Sequence, residues 1–295
     1  MITRRRMTLA LLAGPLAGLA LPALTRAAPR PALRPDDLEA RLIALEGETG
    51  GRLGVAVLDA SGGLRAGHRQ DERFPLCSTF KVLLAAQVLA RCDQGVEDLE
   101  RPVRVRADDL LDYAPVTRPA VGRELSVATL CEAAITLSDN TAANLLLARS
   151  GGPAGLTAFL RSLGDKVTRL DRIEPDLNEA RPGDPRDTTS PAAMLHSLQR
   201  LLLGDALAPA SRDRLEAWMV ATRTGDARLR ARLPADWRAG DKTGTGARGT
   251  YNDVALFRPP QGGPWLVSAY LTGASAPAAR CEAALAEVGA LIAGT

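Results

Sequence analysis

The chain has 295 residues, 46% hydrophobic and 24% charged, with 37 Lys and Arg against 34 Asp and Glu for a formal charge of +3. Two widely separated histidines, His68 and His196, exclude an HExxH-type or multi-histidine zinc site, and four scattered cysteines make neither a zinc finger nor a disulfide-dense miniprotein. The composition also excludes a disordered or wholly membrane-embedded chain, and the length suits one large or two modest domains.

Residues 1–27 open with Arg4-Arg5-Arg6, continue through an apolar run from Leu9 to Leu24 and end at Thr25-Arg26-Ala27. A cationic start, a short apolar stretch and a small-residue cleavage site describe a signal peptide. Thr3-Arg4-Arg5-Arg6-Met7 fits a twin-arginine signal as well as an arginine-rich Sec leader. Cleavage after Ala27 removes Arg4, Arg5, Arg6 and Arg26 and takes the formal charge from +3 to −1. The mature protein is then exported, periplasmic or secreted, with no basic patch for nucleic acid and no stable membrane insertion. No sequence pattern encodes an oligomer, so a monomer is expected.

Leu38, Leu42 and Leu45 recur at helical spacing within 36–48, and Gly50-Gly51 stops that helix. Arg52 to Asp59 and Leu64 to His68 read as two strands joined at Ser61-Gly62-Gly63. From Ser78 to about Pro209 the pattern is mostly helical. Three strand-like runs follow, Trp237 to Thr243, Asn252 to Arg258 and Trp265 to Thr272, before a final helix from near Pro277 to about Ile292.

Two strands cannot stand alone in water, so the front pair joins the three at the back. The expected fold is α+β: a five-stranded antiparallel sheet flanked by N- and C-terminal helices, with an inserted all-helical lobe. Residues 28–68 and 213–295 then form the sheet domain and 69–212 the helical one, with a cleft between them as the default site. Residues 171–190 carry three prolines and no helical stripe, which describes a functional Ω-type loop. Its opposite charges, including Arg172 and Asp187, suggest that it is pinned across its base.

Three short motifs carry candidate chemistry. Ser78-Thr79-Phe80-Lys81 opens an apolar helix, and the i, i+3 spacing puts the hydroxyl and the amine on one face. Backbone N–H groups at such a helix start can hold an oxyanion. An N-cap serine followed by a solvated lysine would give the same spacing. The chain, however, has only three lysines, Lys81, Lys166 and Lys242, and uses arginine for general cationic work. Ser138-Asp139-Asn140 sits between two helical runs, where Asp139 or Asn140 can cap the second. Lys242-Thr243-Gly244-Thr245-Gly246 lies on a strand, with glycines that permit close approach of a ligand or backbone. Each motif alone is weak, whereas the three in this order are specific.

With these motifs the mature chain resembles the class A serine β-lactamases along essentially its whole length. Tyr113-Ala114-Pro115-Val116-Thr117, Arg172 to Asn178 (RIEPDLN), Thr224-Gly225-Asp226-Ala227-Arg228 and Asn252-Asp253 add to the resemblance. It implies the β-lactamase and penicillin-binding transpeptidase-like fold and a hydrolase of small-molecule β-lactams that confers antibiotic resistance. No metal or cofactor is implied. Ser78 would be the nucleophile, forming an acyl-enzyme, and the backbone N–H groups of Ser78 and Thr245 the oxyanion hole. Ser138 would pass a proton to the departing nitrogen. Asn140 would meet the substrate's side-chain amide and Tyr113 would wall the cleft mouth. Lys242, Thr243, Gly244, Thr245 and Arg228 would bind the substrate carboxylate, with Arg228 replacing an arginine that some relatives carry where Tyr251 stands. Glu174 and Asn178 would activate the deacylating water, and the Glu174–Pro175 bond would be cis.

The base that activates Ser78 stays open between Lys81 and Glu174. A lysine would need its pKa lowered by ~3 units from about 10.4 to serve near neutral pH. A penicillin-binding D,D-peptidase or a non-hydrolytic β-lactam sensor would share Ser78 and Lys81, but neither explains Glu174 and Asn178. A serine-dependent glutaminase on a related fold is more distant. Some relatives bridge Cys77 to a cysteine where Gly246 stands, others Cys131 to one where Ala85 stands; neither bridge can form here. Cys77 and Cys92 on one helix would lie about 22 Å apart, too far to pair. A pairing of Cys92 with Cys131 or Cys281 stays open.

Overall fold

The computed structural model describes residues 35–61, 63 and 65–294, so the expected leader at 1–27 lies outside the described residues. Helix α1 (Pro35–Thr49) forms over the predicted stripe, and Leu38, Leu42 and Leu45 are all buried. Strands β1 (Arg52–Asp59) and β2 (Arg65–His68) form the expected antiparallel pair, with Val55 opposite His68.

The middle of the chain follows. Strand β3 (Phe74–Pro75) leads through a 3-10 turn at Cys77–Thr79 into α2 (Phe80–Asp93). Every residue from Phe80 to Ala90 is buried, as in a helix apolar on all sides. Strands β4 (Pro102–Arg104) and β5 (Glu124–Ser126) make a small ribbon ahead of α3 (Val127–Thr136). Helices α4 (Asn140–Arg149) and α5 (Gly152–Ser162) come next, then β6 (Thr188–Thr189), which pairs with β3. Helices α6 (Pro191–Leu198) and α7 (Pro209–Val220) complete this part. Side-chain caps start three of the helices: Ser126 accepts from Thr129 N, Asp139 from Ala142 N and Ser190 from Ala193 N.

Strands β7 (Arg238–Gly246), β8 (Thr250–Arg258) and β9 (Trp265–Thr272) join the front pair in one antiparallel sheet, ordered β2-β1-β9-β8-β7, and α8 (Ala278–Ala293) ends the fold. Alternation along the central strands divides the core. Val55, Val57, Ala255 and Phe257 pack with Leu38 and Leu42 of α1 and Leu285 of α8. Ala56, Leu58, Val254 and Leu256 face the other way, into the cluster built around α2.

Some elements differ from the expectation. Helix α7 stands in a stretch read without structure. Its buried stripe, Ser211, Leu215, Trp218 and Met219, is diluted by Arg212, Asp213, Arg214 and Glu216. Strand β7 runs three residues past Thr243, because Gly244 and Gly246 keep ladder partners in Asn252 and Thr250. The β3–β6 and β4–β5 ribbons are too short to leave a period-2 signal. All four cysteines are free, which closes the open pairing.

The 171–190 segment is tied at its base. Arg172 Nε donates to Asp187 Oδ2 at 2.6 Å, and the Asp187 carboxylate also accepts the backbone N–H groups of Asp171 and Arg172. Arg172 reaches forward to Glu179 as well, at 2.8 Å. The Glu174–Pro175 bond is cis, as the resemblance implied.

Candidate active site

The turn before α2 places Ser78 half-buried at the head of that helix, with Lys81 one turn on and fully buried. The two side chains meet, Nζ to Oγ at 3.0 Å. Lys81 Nζ also donates to Asn140 Oδ1 at 2.6 Å and to the Ser138 carbonyl at 2.8 Å, and lies 3.0 Å from Glu174 Oε1. Three fixed acceptors around one amine are the surroundings of an ammonium group.

Ser138 belongs to the link between α3 and α4 and sits at φ 58°, a left-handed conformation that costs a serine about 1–2 kcal/mol. Lys81 on its carbonyl and the Asp139 cap hold it there. Asp139, fully buried, also accepts from Val116 N, Thr117 N and Thr117 Oγ1. One carboxylate therefore starts α4 and fixes the 113–117 loop, and Asn140 N donates to the Tyr113 carbonyl at 3.0 Å. Tyr113 itself is 51% exposed at the cleft mouth.

Lys242 reaches Ser138 from the sheet side, Nζ to Oγ at 3.1 Å, and also donates to the Thr243 carbonyl. Ser138 Oγ thus lies between two lysines, with Lys81 Nζ at 3.3 Å. Gly244 is needed for this docking of sheet on helix. A Cβ there would meet the Leu76 carbonyl at 3.0 Å, and Asn252 on β8 donates to the carbonyls of Pro75 and Leu76. Gly246 is equally constrained, since a Cβ would lie 2.6 Å from Cys77 Sγ and 2.9 Å from the Asn178 carbonyl. Ala247 N then bonds that carbonyl, joining the loop to the end of β7.

Glu174 enters from the loop and is 1% exposed. Its Oε1 accepts from Ser78 Oγ at 3.3 Å and its Oε2 from Asn178 Nδ2 at 2.5 Å. Asn178 Oδ1 is buried and has no protein partner among the described residues, leaving an acceptor free beside the carboxylate. The Glu174 backbone is clamped at both ends by Asn144, which accepts from Glu174 N at 3.0 Å and donates to its carbonyl at 2.9 Å.

Arg228 is buried against β7 and β8. Its Nη1 donates to the carbonyls of Gly244 and Asn252, while Nη2 reaches Thr245 Oγ1 at 2.8 Å and Glu282 at 3.2 Å. The guanidinium lies 5.6 Å from the Tyr251 ring centre. Thr243 Oγ1 pairs with Thr224 Oγ1 at 2.6 Å.

Ser78, Tyr113, Ser138, Asn140, Asn178, Thr224, Arg228, Thr243 and Thr245 line one cleft of about 270 Å³. Lys81, Lys242 and Glu174 sit buried behind its wall, so the structure brings together every residue singled out from the sequence. Larger hollows of 750 and 870 Å³ border other sides of the loop, and neither is lined by Ser78 or a lysine. Asn144 was missed, and Thr224 was noted only as part of the Thr224–Arg228 stretch, with no role in the site. Asn144 lies one turn beyond Asn140 on the same face of α4, a signal that was present.

Burial governs the charges here. Lys81 is pulled below the ordinary lysine range by loss of solvent, against the opposing pull of Glu174. Lys242 is brought down to about 7 by the same desolvation and by the charge of Lys81, while Asp241 and Asp253 oppose the shift. Burial pushes the Cys77 thiol up, so the residue beside Ser78 is a small buried hydrophobe rather than a nucleophile. The site thus holds a hydroxyl in contact with a lysine and a carboxylate, and a second hydroxyl between two lysines. This set suits attack on a carbonyl, protonation of a leaving nitrogen and activation of a water.

Known proteins resemble this chain in sequence and fold. A family model described as "Beta-lactamase enzyme family" matches residues 37–295. Beta-lactamase L2 of Stenotrophomonas maltophilia is 48% identical, with 98% of this chain and 97% of that protein covered. Among solved structures, one described as "Ancestral (GNCA) Beta-lactamase class A" superposes with a TM-score of 0.86 at 64% identity, over 86% of this chain and 98% of that one. A putative class A β-lactamase, PenP from Rhodopseudomonas palustris, gives 0.87 at 58% identity, over 88% and 99%.

Proposed function

Because this chain belongs to the beta-lactamase enzyme family and is a class A serine β-lactamase, a hydrolase, we propose how its residues divide the work. The observation that carries the proposal is the Ser78–Lys81–Glu174 contact set, in which the hydroxyl, the ammonium and the carboxylate lie within 3.3 Å of one another. Ser78 attacks the lactam carbonyl and Glu174 accepts its proton. Lys81 stays an ammonium held by Asn140, Ser138 and Glu174, which supports the carboxylate rather than the amine as base.

Developing charge on the carbonyl oxygen is met by the backbone N–H groups of Ser78 and Thr245. The place of β7 at the sheet edge supports this role for Thr245. Ser138 delivers a proton to the lactam nitrogen and is reprotonated from Glu174 through the Lys81 ammonium, so Glu174 is a carboxylate again before deacylation. Lys81 Nζ lies 3.0 Å from Glu174 Oε1 and 3.3 Å from Ser138 Oγ, and Lys242 lowers the cost of the transient loss. Lys242, Thr243, Thr245 and Arg228 bind the substrate carboxylate, with the Gly244 backbone beside them. Asn140 meets the acylamide, and Tyr113 closes the mouth. A water held by Glu174 and the free acceptor of Asn178 then hydrolyses the ester.

The substrates are penicillins and cephalosporins. The part of the chain at 69–212 and the part formed by 28–68 and 213–295 make the two walls, a reading supported by the cleft lining, which takes Ser78, Tyr113, Ser138, Asn140 and Asn178 from the first and Thr224, Arg228, Thr243 and Thr245 from the second. We also propose export through residues 1–27, by a Sec or twin-arginine route, to the periplasm or medium, and action as a monomer. No helix among the described residues is long and apolar enough to cross a membrane.

The test is intact-mass spectrometry during turnover of a chromogenic cephalosporin by the mature protein and by Glu174→Ala. The wild type should turn over without a lasting adduct, and the variant should accumulate one on Ser78. A stable adduct already in the wild type would replace this reading with that of a binding protein or peptidase.

A further inference from the structure

Two buried acids beside the site have no part in the steps above. Asp241 on β7 and Asp253 on β8 are both fully buried. The ladder pairs Thr243 with Asp253 and Asp241 with Ala255. Paired residues, and residues two apart along a strand, project from the same face. The two carboxyls are therefore diagonal neighbours across adjacent strands, within side-chain reach. Gly225 closes over Asp241, since a Cβ there would sit 2.1 Å from Asp241 Oδ2.

Each acid has one oxygen engaged. Arg230 Nε donates to Asp241 Oδ1, and Leu229 N donates to Asp253 Oδ2 at 3.1 Å. The other oxygens, Asp241 Oδ2 and Asp253 Oδ1, are buried and have no hydrogen-bond donor among the described residues. An ionised carboxylate is acceptor-only, so these two buried oxygens on neighbouring side chains would each be left costly and unpaired. A single proton satisfies both.

We propose that Asp241 Oδ2 and Asp253 Oδ1 hold one proton between them, leaving a single negative charge that makes Asp241 a positioning residue for the Lys242 ammonium. The charged and titratable groups around the pair agree with one charge rather than two. Arg230 is bonded to Asp241, and Lys242 is its chain neighbour on β7. Arg228 is already engaged by backbone carbonyls, Thr245 and Glu282. Asp226, whose side chain is 80% exposed, and the buried Tyr270 hydroxyl on β9 bring no further cation. Burial, together with the charge of Asp241, pushes Asp253 well above the ordinary carboxyl range, and burial also raises Asp241 against the pull of Arg230. Like charges this close do not both ionise. The remaining charge opposes the desolvation that pulls Lys242 down, and so keeps it cationic for an incoming carboxylate.

Isotope-edited infrared spectroscopy of the folded enzyme, labelled with 13C at the aspartate side-chain carboxyl, tests this directly. The wild type at neutral pH should show the label-sensitive C=O stretch of a protonated carboxyl, and Asp253→Asn should abolish it. In the pH profile of kcat/KM for benzylpenicillin, Asp253→Asn should leave the alkaline limb in place, because Asp241 keeps the charge. Asp241→Asn should move that limb about one unit or more toward acid. A wild type without the band, a band that survives Asp253→Asn, or equal shifts of the limb in both variants would overturn the proposal. If Asp241→Asn does not fold, the wild-type band and the Asp253→Asn profile still decide it. Only the kinetic readout rests on the role proposed for Lys242; the infrared band needs no turnover, so the two readings fail separately.

Discussion

Two ionic clusters in this protein both pair a glutamate with a basic side chain and behave in opposite ways. Beside β1 and β2, Glu46 accepts from Arg69 Nε at 2.7 Å and from Leu53 N at 2.9 Å, and Glu72 receives both Arg69 and Arg52. Burial would raise Glu46, but these donors outweigh it and hold the carboxyl down at about 2. In the cleft, Lys81 and Glu174 are nearly as close, at 3.0 Å, yet neither side chain has any exposure. There desolvation outweighs the partner and pulls the lysine down. Contact distance does not separate the two clusters; access of water does. Pairing at the rim fastens α1 to the sheet, while burial in the cleft pulls both lysines below their ordinary range.

The largest effect expected from this difference is at Lys81. Lys81→Met keeps the bulk and removes the charge, and acylation followed by stopped flow should slow about 10²–10⁴-fold. A rate within tenfold of wild type would mean that the buried ammonium does little. Arg172→Ala attacks the comparison at an intermediate site, where Asp187 is 1% exposed but Arg172 keeps some solvent. It should cost about 1–3 kcal/mol in urea unfolding, since a charged hydrogen bond is lost while two backbone donors remain on Asp187. Deacylation should slow more than acylation, because Glu174 rides on this loop. A pre-steady-state burst unchanged in size would contradict that.

Glu46→Gln should have the smallest effect, about 0–1 kcal/mol, with kcat unchanged. A carboxyl held low in the folded state adds stability above the ordinary value of 4.5, and this is lost as pH falls toward about 2. The variant should therefore show a flatter acid limb of stability over that window. A change in kcat would show that the two clusters are coupled.

The chain itself disclosed much of this, unevenly. Ser78 and Lys81 are one turn apart on a strongly apolar helix, so periodicity alone put them together, and the scarcity of lysine marked Lys81 and Lys242. The five-stranded sheet followed from short apolar runs and from the need to cover two front strands. Glu174 has no such signal. It lies in a loop without period, and only the resemblance and then the fold bring it to Ser78. Helix α7 was hidden because charged residues interrupt its apolar stripe. The Asp241–Asp253 relation depends on the register of β7 against β8, which local pattern does not carry. Asn144 was legible as a helical neighbour of Asn140 but gave no hint of the loop it would clamp.

The central claim, that burial rather than pairing rules the cleft, has one direct measurement. The chain has three lysines, and the third, Lys166, is exposed. Protein labelled with 13C at lysine Cε should give three resonances, assigned through Lys166→Arg, whose shifts are followed against pH. The resonances of Lys81 and Lys242 should titrate below the ordinary lysine range of about 10.4, Lys242 at about 7. If both instead titrate in the ordinary range, pairing with Glu174 and the nearby aspartates outweighs desolvation, and the contrast between cleft and rim is wrong.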